Sequence, residues 1–212
     1  MTTLINEFQA AWDDGELVFP KDPHAEQKRW FLRTPVNPAN SRDLVFIGIN
    51  PSSATQFAAR KPGGDPTTKM VLKYFPVGED GSPLDWRSMT ILNLLPLIGQ
   101  HRDLPCWDSG SGRQKILDSI DITRQILRVI LPKCHCVHLM WGTPNKKKFP
   151  WKNTVLKQLI PEIDLLISAD HQVQAYLSKK DIHCIQGSAG LPIGEANNPT
   201  THTTYYNTSN PR

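Results

Sequence analysis

The sequence predicts an α/β domain of three layers, with helices on both faces of a central, mostly parallel, twisted sheet. Three observations carry this. Leu44-Val45-Phe46-Ile47-Gly48-Ile49 is an apolar run rich in β-branched residues, the pattern of a strand buried on both faces. It stops at Asn50-Pro51-Ser52-Ser53, where the backbone must turn and polar groups appear at once. The same design recurs twice, as Met89-Thr90-Ile91-Leu92 running into Asn93 and as Val137-His138-Leu139-Met140-Trp141 running into Gly142. Segments of helical period separate these strands, and such alternation builds parallel sheets. Open α/β sheets hold their ligands beyond the carboxyl ends of the strands. Neighbouring parallel strands would therefore bring Asn50, Asn93 and the Gly142 loop to one edge, where chemistry is expected.

The elements follow in order. Leu4, Ile5, Phe8 and Trp12 share one helical face, and Asp13-Asp14-Gly15 ends that helix. Trp30-Phe31-Leu32 reads as a short edge strand before the proline-rich turn at 35–38. The principal strand at 44–49 comes next, then a loop of no clear period over 55–64. Asp65-Pro66 opens a helix with Met70, Val71, Tyr74 and Phe75 on one face; Asp at the N-cap and Pro at the first helical position are a strong start signal. A connection rich in Gly, Pro and Asp at 76–86 leads to the strand at 89–92. Beyond a loop at 99–112, a helix over 113–131 buries Ile116, Leu117, Ile120, Leu127 and Ile130 and stops at Pro132.

A strand at 136–141, a lysine loop and a helix near 153–160 continue the alternation. Leu165-Leu166-Ile167 reads as a further strand, 171–179 as a helix and 182–185 as a last strand. From Gln186 onward Gly, Asn, Thr and Pro dominate, which reads as loop. The expectation is one domain over 1–212, with a helix and an edge strand in 1–43 and a C-terminal loop region at 187–212.

Composition narrows the class. A chain of 212 residues, 39% hydrophobic and 21% charged, suits one large domain that buries a real core. The net charge of +4 admits a polyanionic partner without requiring one. Cys106, Cys134, Cys136 and Cys184 form no C-x-x-C pair and follow no disulfide spacing. With no signal-peptide pattern and no apolar run of membrane-spanning length, a cytoplasmic protein with reduced thiols and no membrane contact is expected. Cys134, Cys136 and His138 would share one strand face, but no further ligand has the spacing of a zinc site, so packing is expected and no metal.

Four motifs carry a family resemblance. Gly48-Ile49-Asn50-Pro51 resembles the first active-site motif of the mismatch-specific branch of the uracil-DNA glycosylase superfamily. Ile91-Leu92-Asn93-Leu94-Leu95 is similar to the superfamily strand whose terminal Asn reads the base edge. Leu139-Met140-Trp141-Gly142 with Lys146-Lys147-Lys148 resembles a later lysine-bearing segment, and Asn198-Pro199-Thr200-Thr201-His202 the late motif that contacts the base and wedges into DNA. They stand in the family's order across 44–202. Asn50-Pro51-Ser52, Asp65-Pro66-Thr67, Asn93-Leu94 and Trp141-Gly142 are also similar to a family of bacterial and phage proteins without an assigned function. The resemblance implies a uracil-DNA glycosylase-like fold, DNA as partner and no cofactor; a monomer is expected.

Hydrolysis of an N-glycosidic bond passes through an oxocarbenium-like sugar and needs a positioned water and a stabilised leaving base. A base in duplex must first be flipped out. The resemblance gives Asn50 the water-positioning role; an Asx turn ending the strand is the plainer reading. Asn93 would pair with the flipped base, matching either uracil-like or cytosine-like edges according to its flip, or else cap the strand. Pro51, Ser52 and Ser53 would line the pocket, with Gly142 and Asn198 as further substrate contacts. In strict uracil enzymes a Tyr follows the motif's Pro and blocks C5 substituents; the small Ser52 implies tolerance of a 5-methyl or larger group.

Asp65 would supply the base that Asn50 lacks, although an Asp-Pro-Thr setting is an ordinary N-cap. His202 would donate to the leaving base or be a tail histidine. Arg60, Lys61, Lys69, Lys146, Lys147 and Lys148 would hold DNA phosphates, against the plainer reading of solvated loops. Phe57, Tyr205 and Tyr206 are stacking or wedge candidates, equally suited to packing.

The sequence thus reads as a monofunctional DNA glycosylase that removes a modified or otherwise non-standard pyrimidine and leaves an abasic site. Its setting would be base-excision repair or defence against phage with modified DNA, glucosylated hydroxymethylcytosine being the extreme substrate. A non-catalytic nucleic-acid or nucleotide binder that keeps the fold is the alternative, and an enzyme acting on free nucleosides a third.

Overall fold

In a computed structural model of the chain, residues 2–51, 54–58, 63–99, 110–140, 150–167, 172–175 and 205–207 are described. Five α-helices occur among them: α1 (Thr2–Asp13), α2 (Pro23–Glu26), α3 (Pro66–Tyr74), α4 (Gly110–Ile130) and α5 (Pro150–Leu166). The strands are β1 (Val18–Phe19), β2 (Phe31–Arg33), β3 (Asp43–Gly48), β4 (Ser88–Asn93), β5 (Cys136–Leu139), β6 (Gln172–Ala175) and β7 (Tyr205–Asn207). They form one sheet in the order β1-β2-β4-β3-β5-β6-β7.

The central strands β4, β3, β5 and β6 are mutually parallel, whereas β1, β2 and β7 join antiparallel. The fold is α/β with a mixed sheet, parallel at its centre and antiparallel at its margins. Strands of two or three residues carry too little pattern to fix their direction.

Every residue of β3 is buried, which is why its sequence runs apolar instead of alternating. Its side chains nonetheless divide by parity. Val45 and Ile47 join a core built with Phe8 and Trp12 of α1, Ile116, Ile120 and Leu127 of α4, and Val155 and Leu159 of α5. Leu44 and Phe46 join a smaller core with Met89, Ile91, Cys136 and Val71 of α3. The chain therefore leaves β3 through α3 into one core, but leaves β4 and β5 through α4 and α5 into the other. In open α/β sheets ligands bind beyond the carboxyl end of the strand where the direction changes, which is β3 in this chain.

Several expectations are corrected. The strand at Leu165-Leu166-Ile167 is overturned: Leu165 and Leu166 end α5, which runs on through Pro161, and Ile167 follows it directly. Leu159, Ile160, Ile163 and Ile167 recur at helical spacing and are buried, while Leu165 is 83% exposed. The helix over 171–179 is overturned at Gln172–Ala175, which is β6; its polar-apolar alternation has the period of a strand. The C-terminal loop region contains β7, paired with β6. The expected edge strand, β2, has β1 outside it. Cys134 does not share a face with Cys136: it precedes β5 and packs in the larger core, Cys136 in the smaller. Burial pushes both thiols up to about 12. The strand expected at 182–185 lies outside the described residues.

Candidate active site

The carboxyl ends of β3, β4 and β5 meet as one edge. Gly48 stands opposite Asn93 and Ile47 opposite Leu139. Beyond the strands the pairing continues: Leu94 N donates to Gly48 O at 3.0 Å, Leu95 N to Ile49 O at 2.7 Å and Gly99 N to Pro51 O at 3.4 Å. The segment leaving β3 is thus fastened to the segment leaving β4.

Asn50 adds a side-chain tie. Its Nδ2 donates to Gly99 O at 2.9 Å and to Pro51 O at 3.2 Å. The residue is half-buried, and its side-chain donor is spent on the turn.

Asn93 is buried, and its Nδ2 donates to Arg29 O at 3.1 Å and Trp30 O at 3.4 Å. Two carbonyl acceptors on one side fix which end of the amide is nitrogen. Its Oδ1 faces β3, where a Cβ added to Gly48 would stand 3.6 Å away. Asn93 therefore caps the strand with its nitrogen, and its oxygen lies against Gly48.

Asp65 is the N-cap of α3. Its Oδ1 accepts from Thr68 N at 2.8 Å, and Thr68 Oγ1 accepts from Asp65 N at 2.8 Å, a reciprocal capping box. Asp65 Oδ2, however, is buried without a hydrogen-bond partner. Buried polar atoms of this kind are uncommon and call for a physical explanation.

Sequence reasoning missed Arg29. The residue is 2% exposed and donates through one terminal nitrogen to Ala54 O, while its Nε has no partner. Burial lowers its pKa to about 10, and the charge of Asp65 opposes that shift. In sequence, Lys28-Arg29-Trp30 looks like any solvated charge beside a strand; nothing local marks the arginine as buried.

The structure thus brings Asn50, Pro51 and Asn93 to one edge and links Asp65 to it through Arg29. Ser52, Ser53, Arg60, Lys61, Gly142, Lys146, Lys147, Lys148, Asn198 and His202 lie outside the described residues. Lys69 is exposed on α3, and Phe57 packs partly buried against the smaller core. Tyr205 and Tyr206 belong to β7, three positions from β3 in the sheet. On the α3 side, Phe46, Tyr74, Phe75, His138 and Met140 line a small apolar cavity of about 10 Å³. Among the described residues no group of three or more His, Cys, Asp or Glu can hold a metal ion, and no helix is long and apolar enough to cross a membrane.

A family model described as "Protein of unknown function (DUF1643)" matches residues 29–181. No curated protein and no solved structure matches the chain.

Proposed function

This chain belongs to the DUF1643 family, and from that premise we propose that it is a monofunctional DNA glycosylase acting on a modified or otherwise non-standard pyrimidine. The observation that carries the reading is the orientation of Asn50 at the divergence of the sheet. With its nitrogen held by Gly99 O and Pro51 O, its oxygen is the atom left to receive a hydrogen from water. A water so held directs a lone pair at the sugar C1′ as the C1′–N bond breaks. The base leaves with the bonding electrons, water adds to C1′, and the proton released passes to solvent or to the base.

An amide oxygen is a weak base, so the reaction depends on a late, oxocarbenium-like transition state. Asn93 Oδ1 would accept from a base N–H, and Pro51 with Ser52 and Ser53 would border the C5 side. The same reading takes the finer architecture as a three-layer α/β/α sandwich like that of the uracil-DNA glycosylases, working as a cytoplasmic monomer without cofactor or metal. Arg60, Lys61 and Lys146 to Lys148 would contact DNA phosphates. Repair or defence against phage with modified DNA is its setting.

The test is abasic-site formation by the purified protein. Substrates are DNA carrying uracil, G·T mismatches or hydroxymethylated and glucosylated cytosine. Strand scission after mild alkali, lost by about a hundredfold or more in Asn50→Ala, is the expected result. Full activity in Asn50→Ala would refute the water-positioning role. DNA binding without abasic sites on every substrate would replace the enzyme by a non-catalytic binder, a reading favoured by the structural use already made of Asn93 Nδ2.

A further inference from the structure

Arg29 is the most constrained cation among the described residues near the edge. Its backbone is fastened at both polar atoms: Arg29 N donates to Pro96 O at 2.7 Å, and Arg29 O accepts from Asn93 Nδ2. Lys28 bridges to Leu97, and Trp30 O accepts from Asn93 N at 2.8 Å. The side chain thus departs from a rigid base and crosses to Ala54, the described residue nearest the Asn50-Pro51 turn on its C-terminal side.

Burying a guanidinium costs several kcal/mol unless charge and hydrogen bonds compensate. Here the compensation is a carbonyl beyond the turn and the nearby carboxylate of Asp65. Solvation alone gives no reason for this placement, since a lysine or arginine in a polar segment would ordinarily extend into water.

Resting on the proposed role of Asn50, we infer that Arg29 is a positioning residue: through its hydrogen bond to Ala54 O, with the charge of Asp65 balancing its own, it anchors the chain on the C-terminal side of the Asn50-Pro51 turn. Ala54 is the residue that the guanidinium holds directly. Asp65 caps α3 with its Oδ1, and its unpartnered Oδ2 leaves its charge to be balanced across space. Between them the segment closes on itself, with Thr55 N and Gln56 N both donating to Gly63 O at 2.9 and 3.0 Å. Without Arg29 this closed segment would lose its tie to the β2–β4 side of the sheet. Asn50 would keep its bonds to Gly99 O and Pro51 O, but on a turn no longer held from its C-terminal side.

The experiment compares wild type, Arg29→Lys and Arg29→Met by amide hydrogen exchange, with base-excision kinetics as a second arm. In Arg29→Met the amides of Thr55, Gln56 and Gly99 should exchange about tenfold faster or more, the loss expected for one charge-assisted hydrogen bond. Amides in the β3–β4 and β3–β5 ladders should keep their protection. Arg29→Lys, which retains a donor and a charge, should restore most of it. In the kinetic arm kcat should fall about tenfold in Arg29→Met with KM changed by less than about twofold, because the affected interaction orients water rather than binding DNA.

Unchanged exchange at those three amides overturns the inference, and so does a uniform loss of protection across the sheet, which would make Arg29 a general stabiliser. If wild type excises no base, the proposed function fails while the exchange arm still decides the role of Arg29. Should Arg29→Met not fold, Asp65→Asn takes its place, keeping the Oδ1 cap and putting a neutral amide nitrogen where the charged Oδ2 stood. Opening of the same amides is expected there, and its absence counts against the inference.

Discussion

Replacing Asn50 by Asp separates chemistry from structure at the proposed water site. On chemical grounds alone a carboxylate is the better base, and Asn50→Asp should accelerate hydrolysis. The hydrogen bonds argue otherwise. Asn50 Nδ2 is a donor to Gly99 O at 2.9 Å and Pro51 O at 3.2 Å, and an ionised carboxylate has no donor to offer. The variant would set a negative oxygen against two carbonyl oxygens in a half-buried site. The expected cost is about 1–3 kcal/mol, the penalty for losing a hydrogen bond and leaving acceptors facing one another. For a chain of this size that is a fall in Tm of roughly 2–4 °C per kcal/mol.

The cost should depend on pH with a definite sign. The facing carbonyls raise the carboxyl pKa of the folded variant above its unfolded value of about 3.9. Once its new carboxyl is protonated, the Asn50→Asp variant regains a donor for Gly99 O. The charge penalty is therefore complete above the raised folded value, shrinks as pH falls through it and is gone below about pH 4. Urea denaturation of wild type and Asn50→Asp at acid and neutral pH measures this directly. Equal stability at neutral pH, or a penalty independent of pH, would refute the hydrogen-bond assignment at Asn50.

Two further predictions bear on the core and on the base contact. Cys134 and Cys136, with thiols held at about 12 against an ordinary 9.0, should resist alkylation in the native protein at pH 8 and react on unfolding. Because these folded pKa values lie above the unfolded ones, their contribution to stability is complete below about pH 9 and is lost as pH rises towards 12; denaturant melts across that range, with Cys134→Ala and Cys136→Ala as controls, check the sign. Gly48→Ala places a methyl 3.6 Å from Asn93 Oδ1 at an ordinary contact distance, so stability should stay within about 1 kcal/mol while binding or excision of the target base falls; an unaffected site would identify Asn93 as a strand cap alone.

Legibility in the sequence follows the range of the interactions involved. The strand at 44–49 is readable because burial on both faces writes itself as an unbroken apolar run, and the structure places it between β4 and β5. The start of α3 is readable because a capping box is local, closing within Asp65 to Thr68. Leu165-Leu166-Ile167 misleads for the opposite reason: three apolar residues fit either period, and only the packing of Ile163 and Ile167 into the larger core decides for the helix. Gln172–Ala175 alternates polar and apolar, but over only four residues, and its pairing with β5 and β7 decides for the strand. At the site, Asn50 and Asn93 stand out as polar ends of apolar runs. Arg29 does not, since its meaning lies in a contact 25 residues away in sequence.

The two carboxamides at the edge share an orientation, and this constrains what the site can recognise. Asn50 and Asn93 both spend their nitrogens on backbone carbonyls, Gly99 and Pro51 for one, Arg29 and Trp30 for the other. On the sequence alone, Asn93 is free to match a base by flipping its amide; the strand cap removes that freedom and leaves the oxygen. An edge that offers acceptors selects donors. On the proposed reading a water donates to Asn50 and keeps its lone pair for C1′, while the base must bring an N–H to Asn93. The exocyclic amine of a cytosine and the ring N–H of a uracil or thymine both qualify, so Asn93 does not separate these bases. Discrimination then falls to the groups around C5, where Ser52 stands in the sequence in place of a blocking ring. On that reading the strand caps would fix the polarity of the site, and base selection would rest with the surrounding loops.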